Sequence, residues 1–142
     1  LGFLIGDTAR LMRRAFDERV RTKGITRPQW RVLGLLNRFG GSSQVALAEM
    51  MDVEPITLGR MIDRMQDAGL VERRADPNDR RAWRVFLTPS GESRLEDLKP
   101  LANELFADAV SGLTDSQQAE LEAMLDIIRL NLTRRAPEAA NG

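Results

Sequence analysis

Residues 53–91 read VEPITLGRMIDRMQDAGLVERRADPNDRRAWRVFLTPSG, and the order of elements in this stretch decides the fold. Pro55, with its fixed φ and no N–H to donate, suits the first turn of a helix. Ile56, Met61, Ile62 and Met65 recur at helical spacing and predict one apolar face. Gly69 ends the helix, because glycine reaches the left-handed region without a Cβ clash. Leu70 to Arg74 and Trp83 to Leu87 then read as two short strands. The segment between them, ADPNDRRA, is dense in the turn formers Asp76, Pro77, Asn78 and Asp79. A helix followed by a hairpin with a basic tip predicts a recognition helix backed by a β-hairpin wing.

The outward face of the helix carries Thr57, Arg60 and Arg64, and the hairpin tip carries Arg80 and Arg81. Short polar and guanidinium groups on an exposed helix reach base edges in a major groove. Arginines on a narrow hairpin can enter a minor groove, where the potential is most negative. The competing reading is ordinary solvated charge, which is what most arginines on amphipathic helices are. The helix alone favours that reading. The helix together with an arginine-tipped hairpin favours nucleic acid.

Pro55-Ile56-Thr57-Leu58-Gly59-Arg60, Asp63-Arg64, Gly69-Leu70-Val71, Asp79-Arg80-Arg81 and Leu87-Thr88-Pro89-Ser90-Gly91 resemble the MarR family of winged-helix regulators, in its SlyA-like branch. The resemblance implies a homodimer on pseudo-palindromic double-stranded DNA, released by a small-molecule effector, with anionic aromatic compounds as candidates. It places Arg60 at a base-contacting position and Arg81 at the minor-groove position. It also places Asp79 and Arg80 where an acid–base pair braces the wing. Two residues depart from the family pattern: Glu54 stands where Ser is usual at the N-cap, and Gly59 lies inside the recognition helix.

A chain of 142 residues makes one domain, or one domain with an appended dimerisation element. The formal net charge is zero, which is unexpected for a DNA binder until the charge is placed along the chain. Residues 1–53 carry nine basic and five acidic side chains, and residues 54–91 carry seven and six. Residues 92–128 carry two and nine, so the acidity sits in one C-terminal block. If that block is a dimer stalk remote from DNA, overall neutrality does not oppose phosphate binding. No apolar run approaches a membrane span and no secretory signal pattern is present, so no membrane partner is expected. Leu1 is not a usual start residue, and a short upstream piece is expected. The absence of Cys fits a cytoplasmic location and excludes a thiol-based oxidation sensor within these residues.

The remainder of the chain reads as helices. Leu4, Ile5, Leu11, Met12, Ala15 and Phe16 predict a first helix over residues 2–22, with Arg10, Arg13 and Arg14 mostly off its apolar stripe. Those arginines read first as solvated charge; the functional alternative is that Arg13 faces a cleft and meets an anionic ligand. Thr26 and Gln29 form a capping box ahead of a second helix buried through Trp30, Val32, Leu33, Leu36 and Phe39. Gly40-Gly41-Ser42 reads as a loop, and Ser43 caps a third helix, Gln44 to Met51, with Val45, Leu47, Ala48 and Met51 inward. Asp52-Val53-Glu54 is then the turn of a helix-turn-helix. After the wing, Thr88-Pro89 starts a long helix that Pro100 bends without ending. Thr114 to Gln117 caps a last helix with a stripe of Leu121, Met124, Leu125, Ile128 and Leu132.

The fold class predicted is therefore mainly α with a small β-hairpin wing, a winged helix-turn-helix plus a helical dimerisation stalk. Residues 1–25 are read as an N-terminal helix belonging to the dimerisation region and 26–91 as the DNA-binding domain. Residues 92–135 are read as C-terminal dimerisation helices, with an apolar surplus at Leu105, Leu121, Leu125 and Ile128, and 136–142 as a disordered tail.

With neither His nor Cys, the chain lacks Ser-His and Cys-His nucleophile pairs and the usual zinc ligand sets. It has no Gly-rich phosphate loop, so neither an enzyme, a metal site nor a cofactor is expected. Three classes stay open: a dimeric DNA-binding regulator, a winged-helix module that binds protein, and a small-molecule-binding helical dimer. Arginines on both helix and wing favour the first. A protein-binding wing would show exposed apolar residues, and Phe86, read as outward on its strand, is the one hint of that. An effector pocket is expected between stalk and winged domain, with Arg13, Trp30, Met61 and Met65 as candidate lining.

Overall fold

The structure is a computed structural model that describes residues 1–134 of the chain; the tail expected at 136–142 lies outside the described residues. The elements run α1 (Gly2–Val20), α2 (Arg27–Arg38), β1 (Ser42–Ser43), α3 (Gln44–Met51), α4 (Pro55–Asp67), β2 (Val71–Asp76), β3 (Asp79–Leu87), α5 (Pro89–Ala109) and α6 (Asp115–Arg134). This is the mainly helical winged helix-turn-helix that residues 53–91 predict. The chain forms two compact units, the first Leu1–Leu105 and the second beginning at Phe106.

Local chemistry sets most boundaries in the first unit. A single 3₁₀ turn, Arg21–Lys23, extends α1 and is closed by Gly24 at φ 67°. Thr26 accepts from the Gln29 N–H while the Gln29 side chain accepts from the Thr26 N–H, so α2 starts in a complete capping box. Ser43 Oγ accepts from the Ala46 N–H at the start of α3. Asp52 ends α3 in the left-handed region at φ 54°, which a short polar side chain tolerates. Glu54 occupies the N-cap of α4 with no side-chain hydrogen bond, so the departure from Ser costs this helix its cap. At the other end Gly69, at φ 75°, donates to Gln66 O while Leu70 donates to Met65 O. Those paired bonds are a Schellman motif, which satisfies the last carbonyls of α4 and turns the chain into β2.

The sheet has three strands in the order β1-β3-β2, all antiparallel. The sequence reading missed β1, because two serines carry no periodicity. Both pair with β3, Ser42 opposite Val85 and Ser43 opposite Arg84. The wing strands also run further than expected, β2 to Asp76 and β3 from Asp79, leaving Pro77-Asn78 as the link. Ala75 faces Trp83 while Asp76 faces Asp79, so Arg80, Arg81 and Ala82 bulge from the ladder.

One core joins the first unit: Val32, Leu33, Leu36, Leu47, Met51, Leu58, Ile62, Met65, Val71, Val85, Leu95 and Leu98 are all buried. Several expected core residues lie elsewhere. Ile56 is 71% exposed, and the inward face of α4 is Leu58, Ile62 and Met65. Both 56 and 58 are apolar, so periodicity alone leaves the phase of the first turn open, and packing selects Leu58. Val45 on α3 and Phe39 at the end of α2 are likewise exposed, the latter with the Arg38 guanidinium over its ring.

Helix α5 continues through Pro100. Its start is tied to the winged region by Thr88, whose N–H donates to Leu70 O and whose hydroxyl donates to Gly69 O and accepts from the Gly91 N–H. Gly91 lies so close to the chain that an added Cβ would sit 2.0 Å from Leu70 O. In the second unit, Thr114 and Gln117 form a capping box for α6. No described residue of α6 is buried; Leu121, Met124, Leu125, Ile127, Leu130 and Leu132 are all exposed. Leu105, expected in the same surplus, is buried within the single chain. Among the described residues no helix is long and apolar enough to cross a membrane.

Candidate nucleic-acid interface

Helix α4 presents two faces. Leu58, Ile62 and Met65 hold it to the core, while Thr57, Arg60 and Arg64 are exposed. The spacing of three and four residues places Thr57, Arg60 and Arg64 along one side. The wing exposes Arg80 and Arg81. Among the described residues the side chains of Arg60, Arg64, Arg80 and Arg81 have no ion pair and no hydrogen bond. Many other arginines do: Arg10 pairs with Asp7, Arg14 with Glu18, Arg27 with Asp17, Arg74 with Glu72 and Arg84 with Asp76. The helix and wing thus offer guanidinium groups that are not already neutralised by a neighbour.

The wing is braced differently from the expectation. Asp79 makes no ion pair with Arg80; its Oδ1 accepts the backbone N–H of Arg81 at 2.9 Å, shaping the bulge that carries both arginines. The bracing ion pair is Asp76 with Arg84, at 3.0 Å, and Arg84 also donates to Gly41 O. The N–H of Asn78 bonded to the Asp76 carboxylate, and after it the Arg84 guanidinium, hold the Asp76 carboxyl below its ordinary range. Asp76 therefore stays ionised, and the brace intact, at neutral pH.

Arg73, on β2, was missed by the sequence reading. Its side chain is largely covered and reaches four partners: Gln44 on α3, and Gly59 O, Asp63 and Gln66 on α4. Gly59, Asp63 and Gln66 lie at successive turns of one flank of α4, so a single guanidinium fastens the wing along that flank. The only sequence signal was an arginine at an alternating strand position, and nothing there distinguishes it from Arg74. Arg74 instead covers the Phe86 ring at 4.1 Å. Phe86 is thereby half-buried, and Trp83, not Phe86, is the exposed aromatic of the wing.

Beside the α4 arginines an open cavity of about 820 Å³ is bounded by Asp17, Val20, Arg21, Gly24, Ile25, Thr26, Arg27, Pro28, Gln29, Thr57, Arg60, Met61 and Arg64. Of the four candidate ligand residues, only Met61 lines it. Met65 is fully buried in the core. Trp30 is half-buried with its ring edge-on to Phe16 at 5.1 Å, and Arg13 is exposed on α1. Among the described residues no cluster of His, Cys, Asp and Glu could hold a metal ion.

A helix-turn-helix followed by a hairpin whose tip arginines, Arg80 and Arg81, are unpaired defines a protein of the winged-helix class. Residues 25–83 match the MarR family model. The HTH-type transcriptional repressor IacR of Pseudomonas putida is 33% identical over 105 residues, which is 74% of this chain and 63% of that repressor. Among solved structures, a MarR transcriptional regulator from Methanosarcina mazei Go1 superposes with a TM-score of 0.85 at 30% identity, over 94% of this chain and 96% of the other. A mutant MarR from E. coli complexed with operator DNA gives 0.79 at 30% identity, over 90% and 92%. The chain belongs to the MarR family.

Proposed function

We propose that this protein is a transcriptional repressor that binds double-stranded operator DNA as a homodimer in the cytoplasm. The observation that carries the reading is the set of unpaired, exposed arginines on two elements, Arg60 and Arg64 on α4 and Arg80 and Arg81 on the wing. In this reading α4 enters the major groove with Thr57 and Arg60 at base edges and Arg64 toward phosphate. The bulged tip carries Arg80 and Arg81 to the minor groove. The similar repressor from Pseudomonas putida and the E. coli MarR held on operator DNA support it. Dimerisation fits the helix α6, which buries no described residue, and the exposed Phe3 and Leu4 of α1.

Release by a small molecule is the second part of the proposal. The 820 Å³ cavity has Arg21, Arg27, Arg60 and Arg64 around apolar Val20, Ile25 and Met61, and its one carboxylate, Asp17, already pairs with Arg27. That lining suits an anion with an apolar body. Arg60 and Arg64 border both the cavity and the DNA face, so an occupant would compete with DNA for the same guanidiniums.

The test is fluorescence anisotropy on a duplex enriched from random DNA, measured across a salt series. The expected result is salt-dependent, sequence-selective binding. Loss of specificity at one base pair is expected for Arg60→Ala, with a cost of roughly 1–3 kcal/mol per half-site. Weakening on all sequences is expected for Arg81→Ala. Exposed Trp83 keeps a protein-binding wing as the second reading. That reading requires Arg81→Ala to leave DNA affinity unchanged.

A further inference from the structure

The DNA reading leaves Ile56 unexplained. It is 71% exposed, and between residues 6 and 120 no other described large apolar side chain is as exposed. It occupies the second position of α4, after Pro55, in the first turn. In helix-turn-helix proteins the N-terminal residues of this helix are the ones that reach base edges. Ile56, Arg60 and Arg64 lie four residues apart and so form one stripe along the outward face. An apolar side chain at the head of a cationic stripe does not suit phosphate, nor does it stabilise the fold, since Leu58, Ile62 and Met65 make the inward face. The surface it matches is anionic overall yet carries an isolated apolar group. In the major groove that group is the C5-methyl of thymine, which no other base presents.

We infer that Ile56 is a specificity residue that reads a thymine methyl group in each operator half-site, next to the base read by Arg60. The inference rests on the proposed DNA-binding function and names one of its base contacts. Gly59 adds to the case. The position before Arg60 has no side chain, so the apolar contact on this part of α4 falls to Ile56.

The experiment starts from the duplex that the full chain enriches from random DNA. Each thymine is replaced in turn by deoxyuridine, which removes the methyl and keeps the pairing. Affinities of wild type and Ile56→Ala are measured at one salt concentration. Alanine is a better helix former than isoleucine at an exposed position, so the variant keeps the fold. The expected result is one thymine per half-site whose replacement weakens wild type roughly fourfold, the factor that burying one methyl corresponds to. Ile56→Ala should bind the thymine and uracil duplexes equally, and no better than wild type binds uracil. Equal losses for the variant on both duplexes, or no thymine sensitive to residue 56, would overturn the inference while leaving DNA binding in place. A chain that enriches no duplex would overturn the DNA reading, and the inference with it.

Discussion

Arg73 on β2 donates to the main-chain oxygen of Gly59 at the centre of α4, over 3.0 Å. The same guanidinium pairs with Asp63 at 2.7 Å and donates to Gln66 at 3.2 Å, so helix and wing are fastened at three successive points. A winged-helix protein contacting two grooves needs a fixed offset between its two sets of arginines. In the proposed function, Arg73 supplies a link for that offset.

Replacing Arg73 with alanine is therefore expected to weaken operator binding more than replacing Arg74, which covers Phe86 and pairs with Glu72 inside the wing but does not reach α4. The stability loss expected is modest, about 1.5–3 kcal/mol, the range for hydrogen bonds to a charged group. Arg73→Lys is expected to restore little, because a single ammonium cannot span partners arranged around a planar fork. Urea denaturation and anisotropy on the same preparations check both parts. Normal operator affinity for a folded Arg73→Ala would remove the link from the mechanism.

Gly59→Ala separates two reasons for a glycine inside α4. A Cβ at this position meets only the Gln44 side-chain nitrogen, at 3.9 Å, which is ordinary contact. Tight packing within the winged region is thus not the reason, and the Arg73 bond uses a main-chain oxygen that alanine retains. The variant is expected to gain about 1 kcal/mol from helix propensity, read as a higher Tm. Operator affinity is expected to fall, because the remaining use for the missing side chain is close approach to DNA. A gain in both quantities would refute that use.

Gly91→Ala should behave in the opposite way. The added methyl would overlap Leu70 O, a backbone atom held by the Thr88 N–H and unable to yield by rotating a side chain. Destabilisation of roughly 1–3 kcal/mol is expected from overpacking. Operator affinity per folded molecule should be unchanged, since an added Cβ at Gly91 meets Leu70 and Leu87 and none of the exposed arginines. Thermal melting with a parallel binding measurement distinguishes this from a functional defect.

Leu125→Glu places a charge in the exposed stripe of α6, where Leu125 is 45% exposed in the single chain. The expected outcome is a monomer that no longer binds operator at nanomolar concentration, because each half-site alone is held weakly. Light scattering at micromolar concentration gives the mass. A wild-type species of 15.9 kDa would sink the dimer proposal outright.

Much of the architecture was legible in the sequence because it depends on local chemistry. The capping box at Thr26 and Gln29, the serine cap at Ser43, the proline starts of α4 and α5 and the glycine end at Gly69 each use atoms within a few residues of one another. Such signals survive without knowledge of the fold, and they placed α4 and the hairpin correctly. The arginines of the outward face were legible for the same reason, since their spacing is a property of the helix alone.

What only the tertiary structure decided is which side of each element packs and which charges find partners. Ile56 and Leu58 are both compatible with helical periodicity, and the core chose Leu58, which is buried on the same side as Ile62 and Met65 while Ile56 is exposed. Arg73 and Arg74 are neighbours of identical type. Strand alternation sends one onto α4 and the other over Phe86, and only the packed sheet shows which. The brace falls to Asp76 and Arg84, not to Asp79 and Arg80, because a bulge shifts the register by residues that no local pattern marks. These choices depend on contacts between residues far apart in the chain, and their energies exist only once the distant partner is in place.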